Sequence, residues 1–242
     1  SPGSKIARIF IFIFLVFTAV LILYPLVYII LGSFKENMEL LSGGANPVPT
    51  KFVFDNYVQA WKQANFAVYT KNSVIISVGV MLATLLCTSM AGYVFNRKSF
   101  RGKELIYNLF IAFMFVNVGS VTLRPLFELA VKVHMNQSLA SVILISTGTG
   151  QAMYVFLVRG FMSSIVLPLL KPILATVSLL SFRGGWSEYI MPLVFTMSND
   201  KMRPLTVGVT MLRNSGDGAA AWNIMFAGAT ISIVPIVIVY IF

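Results

Sequence analysis

The sequence predicts an all-α protein that crosses a membrane several times, six helices being the economical count. Two observations carry that expectation. Of 242 residues, 57% are apolar and only 11% are charged, about half the charged share of an ordinary soluble domain. The apolar residues are also gathered into runs of about 20, the length a helix needs to traverse the hydrocarbon core. Lipid tolerates no unpaired backbone, so each such run is read as helix. A soluble core of this size would have to be wrapped in polar surface, and the chain has too little polar sequence to do the wrapping.

The first run extends from Ile9 to about Phe34, with Pro25 as a point of kinking. It exceeds the ~7–15 apolar residues of a cleaved leader, so it is read as a retained first span. The second runs from about Asn72 to Phe95, the third from Leu105 to about Leu123, and the fourth from Leu139 to about Val158. A fifth begins at Leu167 and ends near Phe182, and the last covers about Ala219 to Phe242 with Pro235 inside it. The whole of 1–242 is expected to be one transmembrane domain, with an outer segment over about 35–71.

Two short helices are expected outside the spans. Phe54–Trp61 follows an irregular Gly- and Pro-containing stretch, with Asp55 or Asn56 as a cap. Tyr57 and Trp61, four apart, share a face that is either interfacial or packed on a partner. Pro125–Val133 is apolar on one side and carries Glu128 and Lys132 as an i,i+4 pair on the other.

Orientation follows from the loops. With the amino terminus cytoplasmic, the inner segments hold Lys5, Arg8, Arg97, Lys98, Arg101, Lys103, Arg159 and Lys171 against Glu104, a net +7, and the outer segments a net +3. Lys and Arg concentrate on the cytoplasmic side of membrane proteins, so both termini are expected inside. The overall charge of +10 is dispersed between apolar runs with no basic stripe, so a nucleic-acid partner is not expected.

Several chemistries are disfavoured by what the chain lacks. Cys87 and His134 are the only residues of their kinds, which rules out a disulfide framework within the chain and argues against a three-ligand zinc site. There is no phosphate-binding Gly-rich loop with its lysine. Gly148-Thr-Gly150 is too short for one and is read as allowing close helix contact or bending. No carboxylate sits at a span centre, as ion coupling would often require. The chain is therefore expected not to be an enzyme, and the energy for any solute movement to come from another subunit.

Polar side chains near the outer span ends are candidate solute contacts: Asn72, Asn117, and Trp186, Glu188 and Tyr189 after the fifth span. An aromatic face beside a carboxylate or amide suits a sugar, whose C–H face stacks while its hydroxyls need partners. The alternative is that Trp186 and Tyr189 anchor the interface and Glu188 pairs with Arg183. Gly184 and Gly185 are expected to break the helix there.

Motifs spread over nearly the whole chain carry a resemblance. They are Tyr24-Pro25 through Gly32-Ser-Phe-Lys35, Asn56-Tyr57, Asn72-Ser73, Ala91-Gly-Tyr-Val-Phe95 and Phe100-Arg-Gly-Lys103. The most specific are Leu167-Pro-Leu-Leu-Lys-Pro172, Trp186-Ser-Glu-Tyr189 with Pro192-Leu193, and Ala227-Gly-Ala229 followed by Pro235. In this order the chain resembles the sugar-importer branch of binding-protein-dependent ABC transporter permeases, and within it the smaller maltose-type subunit. The resemblance implies the type I importer permease fold in a bacterial cytoplasmic (inner) membrane. It also implies a second homologous permease, two ATPase subunits that bind ATP and Mg, an extracytoplasmic solute-binding protein and a saccharide substrate. A permease for an amino acid or polyamine is the alternative within the same architecture, and an intramembrane enzyme a more distant one.

The family also has a cytoplasmic segment between spans four and five that fits a cleft on the ATPase. Arg159, Gly160 and Phe161 resemble its approach, and Pro168, Lys171 and Pro172 its departure. The intervening stretch is expected between 165 and 166 but is missing from the sequence.

Overall fold

Helix is the only regular structure among the described residues of the computed structural model, which are 2–43, 46–116, 119–164, 170–215 and 220–241. Twelve α-helices occur in chain order: α1 (Pro2–Gly32), α2 (Asn37–Ser42), α3 (Asp55–Gln63), α4 (Phe66–Arg97), α5 (Lys103–Phe115), α6 (Leu123–Lys132), α7 (Leu139–Thr149), α8 (Gln151–Ser164), α9 (Lys171–Ser187), α10 (Ile190–Phe195), α11 (Leu205–Met211) and α12 (Trp222–Ile241).

Ala7–Gly32, Phe66–Arg97 and Trp222–Ile241 are each long and apolar enough to cross a membrane. α7 and α8 pass the same test only together and are bent by 56° at their junction. The described residues thus give up to four spans by length and composition where six were expected. α5 and α9 lie in the expected places, but at 13 and 17 residues they rise only about 20 and 26 Å. The third expected span stops early because Val116 is extended and a 3₁₀ turn, Gly119–Thr122, follows.

Contacts divide the chain into two units, residues 1–66 with 209–234, and residues 67–208 with 235–242. In the first, a polar network ties the segments outside the spans. Asn56 donates to the carbonyls of Ser33 and Lys35 at 2.8 and 2.9 Å and accepts from Asn223 at 2.8 Å. Asn56 therefore braces the exit of α1 instead of capping α3, whose N-terminus has no side-chain cap. The Lys35 ammonium is buried, donates to the Asn46 carbonyl at 2.6 Å and lies 3.5 Å from Glu39. Glu39 also accepts from the Thr50 amide and hydroxyl, both at 3.0 Å. Burial pushes the Glu39 carboxyl up, but these bonds and Lys35 outweigh it and hold it below the ordinary 4.5. Tyr57 shares a 2.7 Å hydrogen bond with Ser33, and Trp61 stacks on Phe66 with ring centres 5.3 Å apart.

The core of the second unit is Ile76, Val80, Ala130, Val142 and Phe195, extended by Phe127, Ile143 and Met191. α6 is the amphipathic helix expected from Pro125–Val133, although Glu128 pairs backward with Arg124 at 3.0 Å and not with Lys132. α9 continues through Gly184 and Gly185 to Ser187, against the expected break. Its buried stripe Ile173, Val177, Ser181 and Gly185 repeats every four residues, one face of a helix. At Gly185 a β-carbon would lie 2.9 Å from the Ser77 α-carbon of α4. That glycine thus serves the approach of two helices.

Candidate functional site

Within the second unit, α5, the α7–α8 junction and the α9–α10 junction border a half-open cavity of about 730 Å³. One wall is apolar and comes from α5: Ile106, Leu109, Phe110 and Phe113. The polar lining is Thr122, Thr149, Gln151 and Glu188.

The local structure explains how these groups come together. α7 begins at the Ser138 cap, whose hydroxyl accepts from the Ala140 amide at 3.1 Å. It ends at Gly150, and the chain bends into α8. Open space surrounds Gly148, and a β-carbon on Gly150 would meet only the Tyr154 ring at 3.7 Å. These glycines therefore permit bending and do not mediate tight helix contact. A break inside a span frees backbone carbonyls, which must find new donors. The Gln151 amide donates to the Thr147 carbonyl at 2.6 Å, and the Thr149 hydroxyl reaches the carbonyls of Ile145 and Ser146 at 3.2 and 3.3 Å. The Oε1 of Gln151 and the Oγ1 of Thr147 are buried with no partner among the described residues; a buried polar atom left so costs about 1–3 kcal/mol.

Glu188 sits where α9 gives way to α10. Its carboxylate accepts from the Met191 amide at 3.3 Å, and its carbonyl from the Thr206 hydroxyl at 2.8 Å. No ion pair joins it to Arg183 or to any other described cation. A cavity with one broad apolar wall and a carboxylate offers stacking surface and an acceptor for hydroxyl groups.

Of the described residues expected to line a solute path, Glu188 alone meets this cavity. Trp186 is buried at 3% exposure, its ring stacked on Phe182 with centres 6.0 Å apart. Tyr189 lies between α9 and α10. Asn72 donates to the carbonyls of Lys201 and Arg203, both at 2.9 Å, so it secures the 3₁₀ turn Asp200–Met202 against α4. Asn117 lies outside the described residues. At the other end of the unit, the Arg159 guanidinium lies 3.4 Å from the centre of the Tyr107 ring and 3.4 Å from Glu104. Phe161 is exposed, Lys171 and Pro172 form the first turn of α9, and Pro168 falls outside the described residues.

Sequence reasoning missed Thr122, Thr149 and Gln151. For Gln151 a signal was present, since an amide inside an apolar run is functional by default.

No protein-family model matches the chain. The arabinooligosaccharides transport system permease protein AraQ of Halalkalibacterium halodurans is 29% identical over 255 aligned positions, covering 96% of this chain and 88% of that protein. An ABC transporter permease protein of a Caldicellulosiruptor species is 31% identical, with 96% of this chain and 90% of that one covered. This chain belongs to the ABC transporter permeases. In fold, the permease matches a chain in the crystal structure of a bacterial ABC transporter involved in the import of the acidic polysaccharide alginate. The TM-score is 0.81 at 20% identity, over 99% of this chain and 96% of the other. The permease is accordingly a transport subunit and not an enzyme, as its sequence predicted.

Proposed function

We propose that this permease is the transmembrane subunit of an ATP-driven importer of sugars or oligosaccharides. The observation that carries the reading is similarity over nearly the whole chain to permeases named for arabinooligosaccharides, diacetylchitobiose and starch degradation products. It favours saccharides over amino acids or polyamines. The permease works with a second, homologous permease, two ATPase subunits that bind ATP and Mg, and a solute-binding protein on the outer side. It lies in the bacterial inner membrane with both termini cytoplasmic, a placement supported by the loop charge asymmetry.

The solute-facing wall of this subunit is the cavity of α5, α8 and α10. Glu188 accepts sugar hydroxyls, and the α5 aromatic rings meet the C–H face. Trp186 and Asn72 act one step back, Trp186 by packing beneath the α9–α10 junction and Asn72 by holding the turn at Asp200–Met202. The ATPase-coupling segment belongs between 165 and 166. That placement rests on the flanking motifs at 159–161 and 168–172. The alignment with AraQ runs over 255 positions against the 242 residues here, so the relative carries residues absent from this sequence.

The test is uptake by the reconstituted complex of labelled arabinotriose, diacetylchitobiose and maltotriose, with glutamine and spermidine as controls. ATP-dependent uptake of a saccharide, reduced in Glu188→Ala without loss of assembly, supports the reading. ATP-dependent uptake of glutamine or spermidine alone would sink it.

A further inference from the structure

We infer that Arg159 is a positioning residue, locking the last turns of α8 to α5 so that movement imposed beyond α8 reaches the cavity wall with α5 and α8 moving together. The same turns also hold α4, through Val158 and Met162. The inference rests on the ATP-driven reading above.

The lock has two sides. On α5, Glu104 and Tyr107 are three residues apart and so share a face. The Arg159 guanidinium lies 3.4 Å from the centre of the Tyr107 ring, and its Nη2 lies 3.4 Å from Glu104 Oε1. On α4, Gly92 and Asn96 likewise share a face. A β-carbon on Gly92 would lie 2.6 Å from a Val158 methyl, and the Asn96 amide donates to the Met162 carbonyl. Val158 is fully buried. Three helix ends therefore meet on residues 158–162 of α8, just before the site expected to receive the ATPase stroke.

Arg159 holds this junction by shape as well as charge. A planar guanidinium lies flat on an aromatic ring in a way an ammonium does not. Its Nη1 is buried without an acceptor among the described residues, so Tyr107 and Glu104 are what fix it. The same two helices build the cavity: α5 supplies Ile106, Leu109, Phe110 and Phe113, and α8 supplies Gln151 and Ala152. Arg159 is eight residues beyond Gln151, about 12 Å along the axis. With the lock closed, a tilt of α8 carries the apolar wall with it; with the lock open, α8 slips past α5 and the stroke is dissipated.

The experiment uses the complete complex with its receptor in proteoliposomes, measuring labelled arabinotriose uptake and phosphate release on the same vesicles. Tyr107→Leu is expected to retain hydrolysis but to move about three- to tenfold fewer sugars per ATP, the factor a partly desolvated cation–π contact represents. Glu104→Gln, which removes an exposed ion pair, should likewise retain hydrolysis and move about two- to fivefold fewer. Tyr107→Phe, which keeps the ring, is expected to keep the wild-type ratio. Glu104 is 67% exposed, so its variant tests the lock without endangering the fold. An unchanged ratio in both Tyr107→Leu and Glu104→Gln, or uptake and hydrolysis falling in equal proportion, would overturn the inference. A wild-type complex whose hydrolysis ignores receptor and saccharide would instead overturn the transport reading, before any variant is compared.

Discussion

Adjacent glycines in α9 should respond differently to the same substitution, Gly184 gaining stability and Gly185 not. Replacing either by alanine removes backbone freedom from the unfolded chain and improves helix propensity, a gain of about 1 kcal/mol. At Gly184 nothing lies within 4 Å of the added β-carbon, so that gain stands alone. At Gly185 the β-carbon would sit 2.9 Å from the Ser77 α-carbon and 3.5 Å from its nitrogen. Backbone cannot swing aside as a side-chain tip can, so α4 and α9 must separate by several tenths of an ångström. Overpacking of this kind costs about 1–3 kcal/mol, which cancels or exceeds the propensity gain. The difference between the two variants isolates the packing cost. For a chain of this size it corresponds to roughly 3–9 °C in unfolding midpoint. The assay is thermal unfolding of each variant in one detergent at one scan rate. Gly184→Ala should melt slightly above the wild type and Gly185→Ala at or below it. Equal midpoints for the two variants would refute the claim that Gly185 is required by the α4 contact.

Asn72→Ala leaves the carbonyls of Lys201 and Arg203 without their donor, at about 1–3 kcal/mol; limited proteolysis should cut near residues 198–204 sooner than in the wild type. The Glu39 carboxyl is held below its unfolded value, so it stabilises the native state above pH 4.5 and that contribution is lost as pH falls through the depressed value. The protection of the Thr50 amide relative to its intrinsic exchange rate should fall on acidification, since it donates to Glu39. Glu39→Gln should be less protected already at neutral pH and lose the acid response. A cysteine placed at Ser99, in a Cys87→Ser background, should react with an impermeant thiol reagent only from the cytoplasmic side; labelling from outside would invert the topology.

Much of the fold was legible because hydropathy runs and short amphipathic patterns are local. α1, α4, α12 and the two helices α3 and α6 could be placed from residues near in sequence. The end of α5 could not, since 105–116 is apolar but for Asn108 and nothing in that composition marks the extended Val116. Gly184 and Gly185 look identical in sequence. Only Ser77, on another helix, decides that one is a packing contact and that neither is a break. Glu188 was found by looking for a carboxylate beside aromatic rings. Gln151 was passed over because the search inside spans was for acids and histidine, and the Arg159 lock because its ring and carboxylate lie on a helix distant in sequence.

The bend between α7 and α8 also bears on how this region tolerates change. Thr149 and Gln151 use their donors to replace hydrogen bonds that a straight helix would have made for itself. Their polarity is thus partly a requirement of folding in lipid, independent of any cargo. In a library selected only for abundance of the protein in the membrane, with transport abolished elsewhere, apolar replacements at these two positions should still be depleted, whereas Ala152, on the cavity wall beside them, should accept hydrophobic replacements. Variation at the bend among permeases for different saccharides would then report first on how each chain repairs its broken helix, and only second on what it carries.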